Sequence, residues 1–322
     1  MAEYRILSLD GGGLRGLITA RLLARLNAHP AIAGWLDTVD LFAGTSTGGI
    51  LALGLASGKT PEAICDLYQQ RGGAIFDDSI WDNLRDLGKT IGADYSAKGL
   101  KAELKKVFGT LQLQDLTRKV AIPTFDLDNE DVAARRTWKP KIFHNFQGAD
   151  SDGQQLVASI ALYTCSAPTY FPSADGYIDG GVYANNPSIV ALAQAISRRN
   201  QAAERAALDE VVLLSLGTGV SLTYIKGQTL DWGYAQWAQP LINVLMDGVA
   251  GISDYQAQQL LDDRYHRLQI VFDPRETIPL DAVDKIDRMD EIARAYPLDT
   301  VPPQANANNP ISTVDWIRTV WL

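Results

Sequence analysis

The chain has 322 residues, 46% hydrophobic and 21% charged, which is ample for a buried core. Its formal net charge of -9 at pH 7 argues against a nucleic-acid partner and against docking on anionic membranes through a basic patch. Two cysteines, Cys65 and Cys165, are too few for a disulfide framework. With no signal-like N-terminus and no apolar run near the ~18 residues of a membrane span, the expected location is cytoplasmic.

Residues 4–9 read as a strand that ends at Asp10-Gly11-Gly12-Gly13-Leu14-Arg15-Gly16. A helix follows, with Leu17, Ile18, Leu22, Leu23 and Leu26 at helical spacing, and His29-Pro30 closes it. Gly11, Gly13 and Gly16 fit G-x-G-x-x-G between strand and helix, the pattern of a dinucleotide site. Asp10 counts against that reading, because it would set a carboxylate beside the pyrophosphate. The acid expected at the end of the second strand is also missing, since that strand ends at Phe42-Ala43. A glycine turn at a helix N-terminus has another use: its free N–H groups can hold a developing oxyanion, provided the turn faces a nucleophile.

A nucleophile candidate comes next. Val39, Asp40, Leu41 and Phe42 read as a short buried strand and residues 50–56 as a helix. The tight turn between them carries Gly44, Ser46 and Gly48, which fit G-x-S-x-G. Such a turn leaves no room for flanking side chains and lifts the serine hydroxyl above the sheet, beside a helix N-terminus. The alternative is a glycine-rich connection with an N-capping serine.

Thr60 and Pro61 open another helix as N-cap and first turn. Gly58-Lys59-Thr60 and Gly88-Lys89-Thr90 lack the phosphate-loop glycine five positions upstream, where Leu53 and Asn83 stand, and fit helix ends and loops. Residues 73–95 read as an insertion over the sheet edge, and Ser96 caps a basic helix through Lys105-Lys106. Residues 119–125 and 136–144 read as strands around Asp126-Leu127-Asp128-Asn129. A helix over 154–165 leads to Ala167-Pro168-Thr169-Tyr170-Phe171-Pro172. Tyr177-Ile178-Asp179-Gly180-Gly181 then precedes Asn185-Asn186-Pro187, where another helix begins.

Residues 211–216 form an apolar strand closed by Gly217-Thr218-Gly219. Residues 232–263 are mostly helical and rich in aromatics, 264–272 alternate like a strand, and 286–296 are helical. A polar loop over 302–310 precedes a short last helix. Strands alternating with helices predict an α/β fold: three layers, α/β/α, with a mainly parallel central sheet and helices on both faces. With no repeat and no linker, residues 1–322 read as a single domain.

A serine nucleophile needs a base. His29 stands at a helix end, His144 in a Phe-His-Asn-Phe turn, and His266 alternates with Leu268, Ile270 and Phe272 on a strand. His266 follows an acid and the serine in hydrolase order, so a Ser–Asp–His triad is one option. Asp179, between a strand and a Gly-Gly turn, is another, although alone it would pass for a turn aspartate.

Taken together, Asp10 to Gly16, Gly44-Thr45-Ser46-Thr47-Gly48 and Asp179-Gly180-Gly181 resemble the glycine-rich, elbow and aspartate motifs of the patatin-like phospholipase family. Ser166 to Pro172 and Leu216-Gly217-Thr218-Gly219 resemble further family segments, so the resemblance covers about residues 4–220 and leaves 221–322 unplaced. It implies a patatin-like fold and a metal-independent lipid acyl hydrolase with no cofactor, acting on phospholipid or other lipid esters, with transient contact at membrane surfaces. The implied catalytic pair is Ser46 and Asp179. The implied oxyanion hole uses Gly11, Gly12, Gly13 and Leu14 with Arg15, and Gly16, Gly44, Gly48, Gly180 and Gly181 support the motifs. The rivals are the His266 triad, a Rossmann-type nucleotide protein, and an inactive lipid-binding relative.

The cluster Trp232, Tyr234, Trp237, Pro240, Leu241, Leu245 and Met246 has two readings. Trp237, Leu241 and Leu245 stand at i, i+4 and i+8, the spacing of a core stripe. Aromatics with polar tips also suit the boundary between water and acyl chains.

Overall fold

Strand β1 (Tyr4–Leu9) sends Leu7 and Leu9 into one apolar cluster and Ile6 into another, so both of its faces are covered. That is the pattern of a parallel strand between two helical layers. The strands that join it are β2 (Leu41–Gly44), β3 (Lys119–Asp126), β4 (Lys139–His144), β5 (Tyr177–Asp179), β6 (Val211–Leu216) and β7 (Tyr265–Leu268). They form one mixed sheet in the order β4-β3-β2-β1-β6-β7, with β5 also paired to β3. All neighbouring pairs are parallel except β3 with β4 and β3 with β5. The expected mainly parallel α/β sheet is therefore present. The computed structural model describes residues 3–75, 97–130, 135–301 and 310–322. Most of the expected 73–95 insertion, Gly88-Lys89-Thr90, Ser96 and the 302–309 part of the polar loop lie outside these residues.

Helices α1 (Gly16–Asn27), α2 (Thr47–Ala56), α3 (Pro61–Ile75), α4 (Ala97–Phe108) and α5 (Val157–Thr164) feed the larger cluster. Leu17, Leu22, Leu51, Tyr68, Leu104 and Ile160 are among its members. The short turn α6 (Gly181–Ala184) is followed by α7 (Ser188–Ala195) and the long α8 (Tyr234–Leu261). Ala191, Leu192, Ala257 and Leu261 from α7 and α8 cover the other face of the sheet. Helix α9 (Ile286–Ala295) returns to the larger layer through Met289 and Ala293, and α10 (Thr313–Trp316) adds Val314 and Trp316.

One detail of the sheet sets up the site. β4 holds one edge of β3 over residues 121–126. On the opposite edge, β2 pairs with residues 119–121 and β5 with residues 124–126. β5 thus takes up the edge that β2 leaves when it turns into the Gly44–Gly48 loop. Pro123, which has no N–H to offer, sits in the gap between the two partners.

The core-stripe expectation for α8 is corrected. Leu241 is 42% and Leu245 52% exposed, Tyr234 is fully out, and among the described residues Ala257 and Leu261, in the last turns of α8, are those that join the core. Trp232 and Trp237 are half-buried and pack edge-on against each other at 5.2 Å. Helical spacing fixes which residues share a face but not which face meets the protein, and here the small residue Ala257 allows the close approach.

Candidate active site

Strand β2 ends and α2 begins within three residues, and Ser46 takes the turn with φ 55° and ψ -125°. A side chain rarely accepts such a backbone, and a strained residue held by its surroundings is a recurrent mark of functional sites. The flanking glycines are sterically required: a Cβ on Gly44 would lie 2.0 Å from the Gly48 carbonyl oxygen, and one on Gly48 2.1 Å from that of Leu9. The Ser46 N–H donates to Thr164 Oγ1 at 2.9 Å, and Thr45 Oγ1 donates to the Ala184 carbonyl at 2.6 Å. The serine does not cap α2 with its side chain, so its hydroxyl is not spent on the helix end.

Asp179 is the last residue of β5, opposite Thr124. Because β5 lies beyond the end of β2 on the same edge of β3, Asp179 arrives beside the Ser46 turn. Its carboxyl is buried and lines the same cavity as Ser46, and its Oδ1 accepts the Gly181 N–H at 2.7 Å. Burial pushes its pKa up to about 6, with the Ser46 hydroxyl and the Gly181 N–H opposing the rise. Gly180 packs against the Pro123 carbonyl, closer than any Cβ would allow.

The Asp10–Gly16 loop lies against the same turn, with a Cβ built on Gly11 falling 3.3 Å from Ser46 Cβ. Gly13 has φ 57° and packs under the Leu280 carbonyl, where a Cβ would meet oxygen at 2.3 Å. Gly12 and Gly13 line the cavity above Ser46, and neither N–H has a hydrogen-bond partner among the described residues. The expectation that Gly11 and Leu14 are also donors is corrected: the Gly11 N–H donates to the Asn185 carbonyl at 2.9 Å, and the Leu14 N–H to that of Leu280 at 2.7 Å. Leu14 contributes its side chain to the cavity wall instead. Gly16 opens α1 against Thr47. Burial lowers the Arg15 pKa, with Asp247 first among the charges that oppose it, and Arg15 Nε is buried without a partner among the described residues.

Ser46, Asp179, Gly12 and Gly13 form the polar end of a cavity of about 170 Å³. Its remaining wall is almost wholly apolar, with Ile50, Leu100, Phe171, Ile242, Met246 and Leu280 among the lining side chains. Leu245 stands at its mouth, both lining the cavity and half-exposed. Cys165 also lines it, its thiol pushed well up by burial, with Asp179 adding to the shift.

The histidines lie elsewhere. His266 is buried on β7, in hydrogen-bond contact with Thr313 Oγ1 at 2.9 Å and stacked on Trp316, and it does not line the Ser46 cavity. His29 pairs with Asp299, and His144 lies by Asp150. Among the described residues, no group of three or more His, Cys, Asp or Glu side chains could hold a metal ion.

Sequence reasoning missed the partner of Asp10. Arg267 on β7 grips that carboxyl with two nitrogens and donates to Ser215 Oγ at 2.7 Å. Burial works against both charges: it raises the Asp10 pKa, with Arg267 opposing, and would lower that of Arg267, which Asp10 more than reverses. Thr218 Oγ1 also donates to the Gly11 carbonyl at 3.0 Å. Arg267 had no signal in the sequence, because its partner lies 257 residues away.

The arrangement is that of an α/β protein whose candidate site gathers around a serine at a strand–helix turn, next to a buried carboxyl and an apolar cavity. The family model described as patatin-like phospholipase matches residues 7–192. The chain is 30% identical over 291 residues to a cGAMP-activated phospholipase of Pseudomonas aeruginosa, covering 88% of this chain and 83% of that one. It is 30% identical over 312 residues to patatin-like protein 1 of Oryza sativa subsp. indica (82% and 73% covered). It is 27% identical over 335 residues to patatin-like protein 4 of Arabidopsis thaliana (87% and 81%). This chain belongs to the patatin-like phospholipase family, and that membership supports lipid hydrolase activity.

Proposed function

We propose that this protein is a phospholipase A-type carboxylic ester hydrolase that works through a Ser46–Asp179 dyad within a single domain spanning residues 1–322. The observation that carries this reading is a buried Asp179 carboxyl that shares with Ser46 the polar end of an apolar cavity. Asp179 takes the Ser46 proton as Oγ attacks the ester carbonyl carbon. The oxyanion of the tetrahedral intermediate accepts the Gly12 and Gly13 N–H groups, each such donor being worth ~3 kcal/mol. Collapse breaks the ester C–O bond, and Asp179 gives its proton to the departing alcohol. Water then adds to the acyl-enzyme while Asp179 takes one of its protons, and a second collapse releases the fatty acid and restores the serine hydroxyl.

A carboxylate is a weak base for an alcohol, and a pKa near 6 narrows that mismatch while leaving Asp179 mostly ionised at pH 7. The apolar wall suits an acyl chain, and neither metal nor cofactor enters the scheme. The protein works in the cytoplasm and visits membrane surfaces, which the charge-free stretch 232–246 leading into and opening α8 fits. No helix among the described residues is long and apolar enough to cross a membrane.

The test is fluorophosphonate labelling followed by peptide mass spectrometry, alongside turnover of a short soluble ester. The adduct is expected on Ser46, with turnover lost in Ser46→Ala. Labelling elsewhere, with full turnover in that variant, would reject the reading. A His266→Gln variant should keep its turnover, whereas a loss of several orders of magnitude would favour a histidine triad.

A further inference from the structure

We infer that Thr164 is a positioning residue for the nucleophile, a role that rests on the Ser46 reading above. Ser46 sits at φ 55°, outside both the strand before it and the helix after it, so neither element supplies an acceptor for its N–H. Thr164 Oγ1 supplies one at 2.9 Å. The same hydroxyl donates its proton to the Pro123 carbonyl at 2.7 Å, which fixes the rotor so that its lone pair faces Ser46. A threonine near the end of a helix ordinarily turns its hydroxyl back to its own helix. Here the hydroxyl leaves α5 and spans two other elements, at zero solvent exposure.

The carbonyl it chooses matters. Pro123 lies in the gap on β3 between the partner that carries Ser46 and the partner that carries Asp179. Gly180, the residue after Asp179, packs directly on that carbonyl oxygen. Thr164 therefore references the serine backbone to the same atom against which the aspartate turn is seated. Its methyl group fills the space beside Gly49, in the first turn of α2. Thr164 touches no reacting atom, so its effect is on the geometry between Ser46 Oγ and the Asp179 carboxyl.

Thr164→Val keeps the shape and removes the hydroxyl, whereas Thr164→Ser keeps the hydroxyl. With a short soluble ester, Thr164→Val should lower kcat roughly ten- to hundredfold at nearly unchanged KM, and slow fluorophosphonate labelling of Ser46 in parallel. Thr164→Ser should restore kcat to within about threefold of the parent, since the hydrogen bonds remain. Equal kcat in Thr164→Val and the parent, or equal losses in Thr164→Val and Thr164→Ser with both folded, would overturn the inference. Should Thr164→Val fail to fold, Thr164→Ala against Thr164→Ser makes the same comparison, and similar kcat in those two would overturn it. Ser46→Ala separates the two readings. Activity surviving there rejects the dyad itself, whereas an inactive Ser46→Ala beside a fully active Thr164→Val rejects only the role of Thr164.

Discussion

At the scale of single residues, Asp179 carries a conflict between stability and use. Burial pushes its carboxyl up to a pKa of about 6 in the folded chain, against 3.8 for an exposed aspartate. A folded-state pKa that is raised means the fold holds the proton more tightly than the unfolded chain does, so ionising it costs stability. The cost is in full force above pH 6 and fades as pH falls toward 4, and on these values it is about 3 kcal/mol at pH 8 and about half that at pH 5. Asp179→Asn retains an acceptor for the Gly181 N–H and removes the charge. It should therefore unfold at higher denaturant concentration than the parent at pH 8, with a smaller gap at pH 5, while turnover falls by orders of magnitude. A variant less stable than the parent at both pH values would contradict the burial argument. The same pKa sets the pH profile: kcat/KM on a soluble ester should rise about tenfold per unit up to pH 6 and then level, and a profile flat from pH 5 to 8 would remove Asp179 as the base.

At the scale of elements, strand β3 and helix α8 have opposite lessons. The strand–helix alternation, the Gly44–Gly48 turn and the order of the three motifs were legible in the sequence, because each depends on local spacing. The contacts that make a site of them were not. Thr164 meets Ser46 across 118 residues and Pro123 across 41, and only the changeover from β2 to β5 brings these segments together. Gly11 and Leu14 were misread as donors for the same reason: their N–H groups are spent on Asn185 and Leu280, distant in sequence. Helix α8 was legible as a helix but not in its orientation. Residues 232–246 contain no charge in a chain of net -9, and Leu241 and Val244 lie exposed on the same stretch of α8 as Leu245, which lines the Ser46 cavity. Replacing Leu241 and Val244 with serine should weaken vesicle binding and lower hydrolysis of vesicle lipid about tenfold or more, at two exposed side chains of ~1–2 kcal/mol each. Hydrolysis of a short soluble ester should be unchanged, and equal losses on both substrates would mean that this face acts through folding or catalysis.

At the scale of the whole molecule, the buried pair between Asp10 and Arg267 joins the root of the glycine loop to the edge strand β7. Both side chains are almost fully enclosed, so removing one leaves the other charged and unpaired. Arg267→Ala should cost about 3–5 kcal/mol in urea denaturation, whereas Arg267→Met with Asp10→Asn should recover much of that loss. Similar stability of Arg267→Ala and the parent would show that water reaches the pair.

The position of β1 also bears on how the chain acquires its structure. β1 is made well before β6, one of its two neighbours, whose first residue, Val211, pairs with Tyr4. At a synthesis rate of ~5–20 residues per second, that edge of β1 stays open for roughly 10–40 s on the ribosome. Through that interval an apolar strand, Ile6 to Leu9, presents unpaired backbone to other nascent chains. Cell-free synthesis should therefore lose soluble yield as ribosome concentration rises, and the loss should ease when a holdase chaperone covers the early strands.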